Sequence, residues 1–199
     1  SEACLSEGTC ADIIGFGLGG DGVLEVNEST VMDVPRAAIQ IDAGSRLMQA
    51  TPADAFAVGQ RVLLHQTQAA NGAVGQWAYR RVVAVVAGGV ELDEPVTTAF
   101  VSDATAHAQA VAVREYTALN VAEGATVMPP AWDGATGGVL AIDVQGDAWV
   151  AGEISASGLG FRGGFVTMDG ASCQYRCMNG FQGEGQLGMG AASLAANGS

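Results

Sequence analysis

Four cysteines, two histidines, a scatter of carboxylates and three tryptophans are the residues of this 199-residue chain whose types could do chemistry. The cysteines fall in two local pairs, Cys4/Cys10 and Cys173/Cys177, each close enough to shut a small loop. Neither a Cys-x-x-Cys nor a His-x-x-x-His spacing occurs, and His65 and His107 lie far along the chain from both pairs. Disulfides are therefore favoured over zinc or free thiols, and they point to an oxidising, extracellular compartment. A Ser-His-Asp hydrolase would need a Gly-x-Ser-x-Gly elbow, which is missing; His65 sits in an apolar strand, where a hydrogen-bonded structural role is expected, and His107 reads as a surface residue. Asp143, Asp147 and Glu153 could stand on neighbouring turns of a stacked chain, which is how a polysaccharide-cleaving solenoid would supply its acid and base. Outward acids of this kind are also what any soluble stacked sheet displays, and no catalysis is expected. Asp21 in GGDG and Asp133 in WDG are calcium candidates, carboxylates beside glycine turns, though without an EF-hand or glycine-rich nonapeptide motif. No other cofactor is expected. Trp77, Tyr79, Trp132 and Trp149, with Phe161, are the aromatics best able to stack on sugar rings, and half-buried packing is the alternative for each. Arg162 in GFRGG could bind a carboxylate or buttress its turn.

Composition narrows the field. The balance of 21 acidic against 8 basic residues gives a net charge of −13, which repels phosphate backbones and anionic headgroups, so nucleic acid is not an expected partner. Every basic residue is an arginine, which removes lysine Schiff bases, amine nucleophiles and Lys–Asn cross-links. No apolar run approaches the roughly 20 residues that span a bilayer, so no membrane insertion is expected. The first residues lack the basic and apolar regions of a secretory leader, and a secreted chain is expected to have shed one. With 49% hydrophobic residues, 29 glycines and few long helix formers, the chain is expected to be all-β.

The elements that must position these groups come in two textures. Over 36–115 the strands are long and glycine is sparse: 38–41, 61–66 and 79–86 read as strands, Gly88-Gly89 as a two-residue turn, and 51–57 as a helical turn capped by Thr51 or Asp54. This stretch is expected to be a small barrel or sandwich. Beyond it the phrases TALNVAEGATVM, GGVLAIDV, GDAWVAG and EISASG are short rungs, with Gly146, Gly152, Gly158, Gly164 and Gly170 falling six residues apart. Alternation would turn Leu140, Ile142, Val144, Val150 and Ile154 inward and Asp143, Gln145, Trp149 and Glu153 outward. Four segments follow: 1–35, a cysteine loop with the first strands; 36–115, the barrel-like module; 116–170, solenoid-like rungs; and 171–199, a glycine-rich tail.

GFGLGGDGVLEV near the start, YTALNVAEGATV before the rungs, and GDAWVAGEISASGLGFRGG with GFQGEG after them resemble glycine-rich secreted and surface proteins of Gram-negative bacteria, of myxobacterial type, and glycine-rich phage tail-fibre and adhesin proteins. The likeness covers about half the chain, 15–30 and 116–190, and VGQRVLLHQTQ with YRRVVAVV looks like the β module inserted in some bacterial members. It implies a noncatalytic structural or self-assembling role at a cell or virion surface. The partners would be copies of the chain itself or other surface proteins. A glycan-binding adhesin is the alternative, and a polysaccharide-cleaving solenoid a further one. The resemblance carries over no catalytic residue.

Overall fold

Small and branched apolar residues alternate along six strands between residues 36 and 112, and in a computed structural model these close into a barrel. The structure describes residues 3–4, 10–11, 17–69, 73–163, 184–185 and 188–189. Cys173, Cys177, Gly164 and Gly170 lie outside the described residues. Among those described the fold is all-β, with no helix and hence none long and apolar enough to cross a membrane. Before the barrel come β1 (Ala3–Cys4), β2 (Cys10–Ala11), β3 (Val23–Val26) and β4 (Thr30–Val31). β1 and β2 pair antiparallel with Cys4 opposite Cys10.

The barrel strands are β5 (Arg36–Gln40), β6 (Leu47–Thr51), β7 (Arg61–Gln68), β8 (Trp77–Val86), β9 (Gly89–Leu92) and β10 (His107–Ala112), closed in the order β10-β5-β6-β9-β8-β7 with every neighbour antiparallel. Its interior is filled by Ile39, Met48, Val62, Leu64, Val82, Val90 and Leu92, with Phe56 and Phe100 in the same core. Six strands enclose little space, so β10 brings alanine inward: Ala110 stands opposite both Ala37 and Leu64, a large–small complement that fits a narrow barrel. Closure leaves no free edge here. The helical turn expected at 51–57 does not form, because Thr51 is the last residue of β6 and pairs with Ala38. The hairpin turn is Ala87-Gly88, with Gly88 at φ 81°, while Gly89 already belongs to β9.

Beyond the barrel, β11 (Arg114–Tyr116), β12 (Ala118–Val121), β13 (Thr126–Met128), β14 (Ile142–Val144), β15 (Ala148–Val150) and β16 (Glu153–Ile154) all pair in parallel. β12 lies between β3 and β15, and β13 between β4 and β16. Three layers are thereby stacked, the first of them drawn from residues that precede the barrel. Their core is Val26, Leu119, Val121, Ala125 and Val127, with Leu24, Ile142 and Val144 against it. Met32 packs on this core and on the barrel core alike. The barrel is thus an insertion between the first layer and the second. Its entry and exit are tied, since the Ala112 N–H donates to the Pro35 carbonyl at 2.8 Å. A short hairpin, β17 (Glu184–Gly185) with β18 (Gly188–Met189), completes the described strands.

Alternation holds for Ile142 and Val144, which face the layer core. Asp143 departs from the expectation that it meets solvent: it is buried against the barrel. Val150 and Ile154, expected inward, are exposed, because β15 and β16 have a neighbouring strand on one side only.

Four charges join barrel to layers. Arg61 and Arg81 are cross-strand partners on β7 and β8, and Glu115 and Asp143 are partners on β11 and β14. Arg81 donates to both Glu115 oxygens at 3.0 and 2.7 Å, and the Arg61 Nη1 lies 3.1 Å from the Asp143 Oδ2. The Arg61 guanidinium also covers the Tyr79 ring at 4.7 Å, a cation–π contact. Segment 17–22 straps the junction. The Leu18 N–H donates to the Glu115 Oε1 at 3.1 Å, and a Cβ at Gly17 would stand 2.7 Å from the Glu115 Cγ. Removing one member of such a pair strands a desolvated charge, whereas removing both relieves the survivor. Glu115→Leu is therefore expected to cost about 2 kcal/mol by urea denaturation, and Arg81→Met with Glu115→Leu distinctly less than the sum of the two single losses. Additive losses would show that the pair is not coupled.

Candidate functional site

The outer face of β7 carries Arg61, Leu63, His65 and Thr67 at alternate positions, and β10 faces it with Gln109 and Val111. Gln109 is the one polar side chain in a run otherwise made of alanine and valine, and it is fully buried. The segment after β13 covers it: Gln109 accepts the Gly137 N–H at 2.8 Å and donates to the Gly137 carbonyl at 3.1 Å. Gln109 Nε2 also donates to the Thr67 Oγ1 at 2.9 Å, and Thr67 Oγ1 lies 3.0 Å from the His65 Nδ1. The His65 ring is thus held through its Nδ1, and its Nε2 lies outside this chain of hydrogen bonds.

Between this chain of hydrogen bonds and the returning backbone lies a cleft of about 270 Å³, lined by His65, Thr67, Trp132, Val139 and Phe161 and by four glycines, Gly75, Gly137, Gly138 and Gly160. Trp132 anchors its wall. The indole is 4% exposed and meets Phe161 and His107 edge to face, with ring centroids 5.7 and 6.2 Å away, and its backbone N–H donates to the Leu159 carbonyl at 2.8 Å. His107, expected at the surface, is half-buried by this contact. Outside the cleft, Glu184 braces the turn that follows Phe161. Its carboxylate pairs with the Arg162 guanidinium and accepts the Arg162 backbone N–H at 3.0 Å. The Arg162 side chain holds the Glu184 carboxyl below its ordinary value, helped by the Trp132 indole N–H, which is short of full hydrogen-bond geometry. Arg162 therefore buttresses its turn. Trp77, the cross-strand partner of His65, is 64% exposed beside Tyr79, the two rings 5.7 Å apart.

The remaining sequence candidates are spread over the molecule. Trp149 is 70% exposed on β15. Asp147 and Glu153 are exposed on the third layer, whereas Asp143 is sequestered by Arg61, so the three acids do not form an acid–base pair with a shared face. The Asp133 oxygens accept the N–H groups of Ala135 and Thr136 and the Thr136 hydroxyl, capping their own turn. Asp21 accepts from Arg114 at 3.0 Å and from the Glu115 N–H at 2.8 Å. Both calcium candidates thus accept hydrogen bonds from the protein, and among the described residues no group of three or more His, Cys, Asp or Glu side chains is gathered for a metal. No protein-family model matches the chain, and no curated protein matches it.

Burial holds the His65 imidazole below its ordinary 6.5. The unfolded chain therefore binds this proton at a higher pH than the folded chain does. The stability that neutral His65 contributes is complete above about pH 6.5 and is lost as pH falls through the folded value. Carboxylates act lower down. Asp103 is held below its ordinary 3.8 by the Thr105 and Ala106 N–H groups and the Thr105 hydroxyl. Asp133, although burial would raise it, is held below 3.8 by the N–H groups of Thr136 and Ala135. The urea midpoint is expected to decline as pH is taken from about 6.5 to 5, and His65→Gln to remove that decline while leaving the further loss below about pH 4. An unchanged decline in the variant would take His65 out of the account.

Proposed function

We propose that this chain is a noncatalytic structural module of an extracellular surface or fibre, whose three layers form a short β-solenoid that copies extend end to end. The observation that carries this reading is that, among the described residues, both ends of the stack are open. β3 and β4 form one, with Val23 and Val31 exposed, and β15 and β16 form the other, with Trp149, Val150 and Ile154 exposed. Soluble monomers blunt such edges with lysine, proline or a covering loop, and an apolar edge left bare is a template for another strand. The columns already run in register: Leu24, Leu119 and Ala148 share one, and Val26, Val121 and Val150 another. A second copy adding its first layer to the third would prolong both. Such a contact is heterologous and continues into a filament.

The layers themselves require glycine at their close approaches. A Cβ at Gly146 would stand 2.7 Å from the Thr117 carbonyl oxygen, and one at Gly152 would collide with the carbonyl oxygens of Ala122 and Ala125. An oxidising habitat is supported by the pairing of Cys4 with Cys10, since facing residues of an antiparallel ladder lie about 4.5–5.5 Å apart, within the span of a disulfide.

Two experiments test this reading. The Asp147 carbonyl and the Ala151 N–H both bond to the second layer, so the intervening N–H of Val150 turns outward. Val150→Pro should leave the fold intact and block the edge. Light scattering and electron microscopy of the purified protein are expected to show elongated oligomers that grow with concentration, and Val150→Pro to remain monomeric. Monomers at high concentration in both proteins would overturn the assembly. Peptide mapping without reduction is expected to recover Cys4 joined to Cys10. Free thiols at both positions would remove the support for an oxidising compartment.

A further inference from the structure

We infer that the cleft between β7, β10 and the Trp132 segment is a binding site for one neutral pyranose residue at the end of a glycan. This inference is independent of end-to-end assembly, because no cleft residue belongs to β3, β4, β15 or β16.

Four observations converge on that ligand class. The first is charge: on a chain of net charge −13, the described residues that line the cleft include no Asp, Glu or Arg, and burial holds His65 uncharged near neutral pH. A carboxylated sugar would find no cation there, and a cationic ligand no anion. The second is size. About 270 Å³ falls below the roughly 300–1,000 Å³ of pockets for drug-sized ligands, so a single ring fits and an extended chain does not.

The third is the pairing of apolar walls with fixed polar groups. Trp132, Val139 and Phe161 are apolar, and Phe161 remains 36% exposed. Opposite them the hydrogen bonds from Gln109 through Thr67 to the His65 Nδ1 hold the imidazole in place and leave its Nε2 for a ligand. A pyranose has this mixed character, with C–H faces that pack on aromatic rings and a rim of hydroxyls that accept and donate hydrogen bonds. A purely apolar ligand would leave the imidazole Nε2 without a partner.

The fourth is Gly160. Gly137 is held to glycine by φ 102° and by the Ala131 carbonyl, and Gly75 by φ 81°. Gly160 has neither constraint: its φ is not in the left-handed range and an added Cβ would meet nothing within 4 Å. Folding does not call for glycine at this position of the cleft lining, and a larger side chain there would have room to narrow the opening.

The test is titration of the intact protein, followed by tryptophan fluorescence and calorimetry. The probes are methyl glucoside, methyl galactoside, methyl mannoside and N-acetylglucosamine, with glucuronic acid, sialic acid and benzene as comparisons. At least one neutral glycoside is expected to bind at millimolar concentration or below. Gly160→Leu is expected to weaken it at least tenfold, and Thr67→Val, which removes the hydrogen bond that holds the His65 ring, several-fold. Trp149→Ala should leave binding unchanged. Should Gly160→Leu fail to fold, Phe161→Ala at the cleft mouth replaces it with the same expected loss. The assignment is overturned by no neutral glycoside binding up to tens of millimolar, by binding that the cleft variants do not alter, or by an acidic sugar or benzene binding as well as the best neutral glycoside.

Discussion

Everything in this molecule hangs on a meeting of two like-charged pairs. Arg61 and Arg81 face each other on one ladder of the barrel, and Glu115 and Asp143 lie side by side on a ladder of the layers. Each pair alone is unfavourable, since like charges directly opposed on neighbouring strands repel. Docking converts both repulsions into attractions. A pair at about 4 Å near a protein surface is worth about 4 kcal/mol of Coulomb attraction before desolvation is subtracted, and desolvation removes much of that gain. The quartet's chief contribution is therefore positional. A rotated or shifted barrel would leave four half-buried charges unpaired, so one orientation is selected.

That orientation positions the candidate site. With β7 fixed over β11 and β14, the backbone returning from β13 must pass across the outer face of β7 and β10, where Gln109 clips it at Gly137. Trp132 then ties the barrel, through His107, to Phe161 and to the Arg162–Glu184 pair. Gln68 at the barrel's end donates to the Gly185 carbonyl at 2.8 Å, so the Glu184 strand is held at two places. The cleft is what remains open between rigid elements. Its walls come from residues near 65, 75, 132, 138 and 160, and no single segment could form it.

The barrel was the legible part of the sequence, and the reason is locality. Its strands are joined by short turns, so alternation in 61–66 and 79–86 and the glycine at 88 were enough to mark antiparallel hairpins. Parallel layers leave a weaker trace. Leu24 stacks on Leu119 across the whole barrel insertion, and no local pattern announces a partner so distant. The six-residue glycine spacing does not by itself say which strands pair. Leu119 stacks on Ala148 and Thr126 on Glu153, far more than six residues on, and Gly146 and Gly152 flank a single strand, β15. They are successive corners of one layer, not equivalent points in successive layers. Alternation correctly turned Asp143 away from the layer core, yet could not reveal that Arg61, on another module, waits there. For the cleft, the available signal was Gln109, a polar residue amid alanine and valine, together with the glycines that flank Trp132 and Phe161.

The open ends also bear on why so acidic a chain could stack on itself. Among β3, β4, β15 and β16 the acids are Glu25 on β3 and Glu153 on β16. The two occupy different columns: Glu25 aligns with Asn120 and Trp149, while Glu153 aligns with Thr126. In the proposed head-to-tail contact Trp149 would meet Glu25, and Glu153 would meet the position preceding Thr30, which is Ser29. In these two columns no acid would oppose an acid across the joint. Within one copy the Glu25 carboxylate already accepts from the Asn120 amide at 2.7 Å, which shows how this column handles its charge. The net charge would then act as repulsion at a distance, screened within about 8–10 Å at physiological salt, while the proposed joint would be made of backbone hydrogen bonds and apolar side chains. Repulsion of that range would slow random association more than an in-register contact, where strands come within about 5 Å.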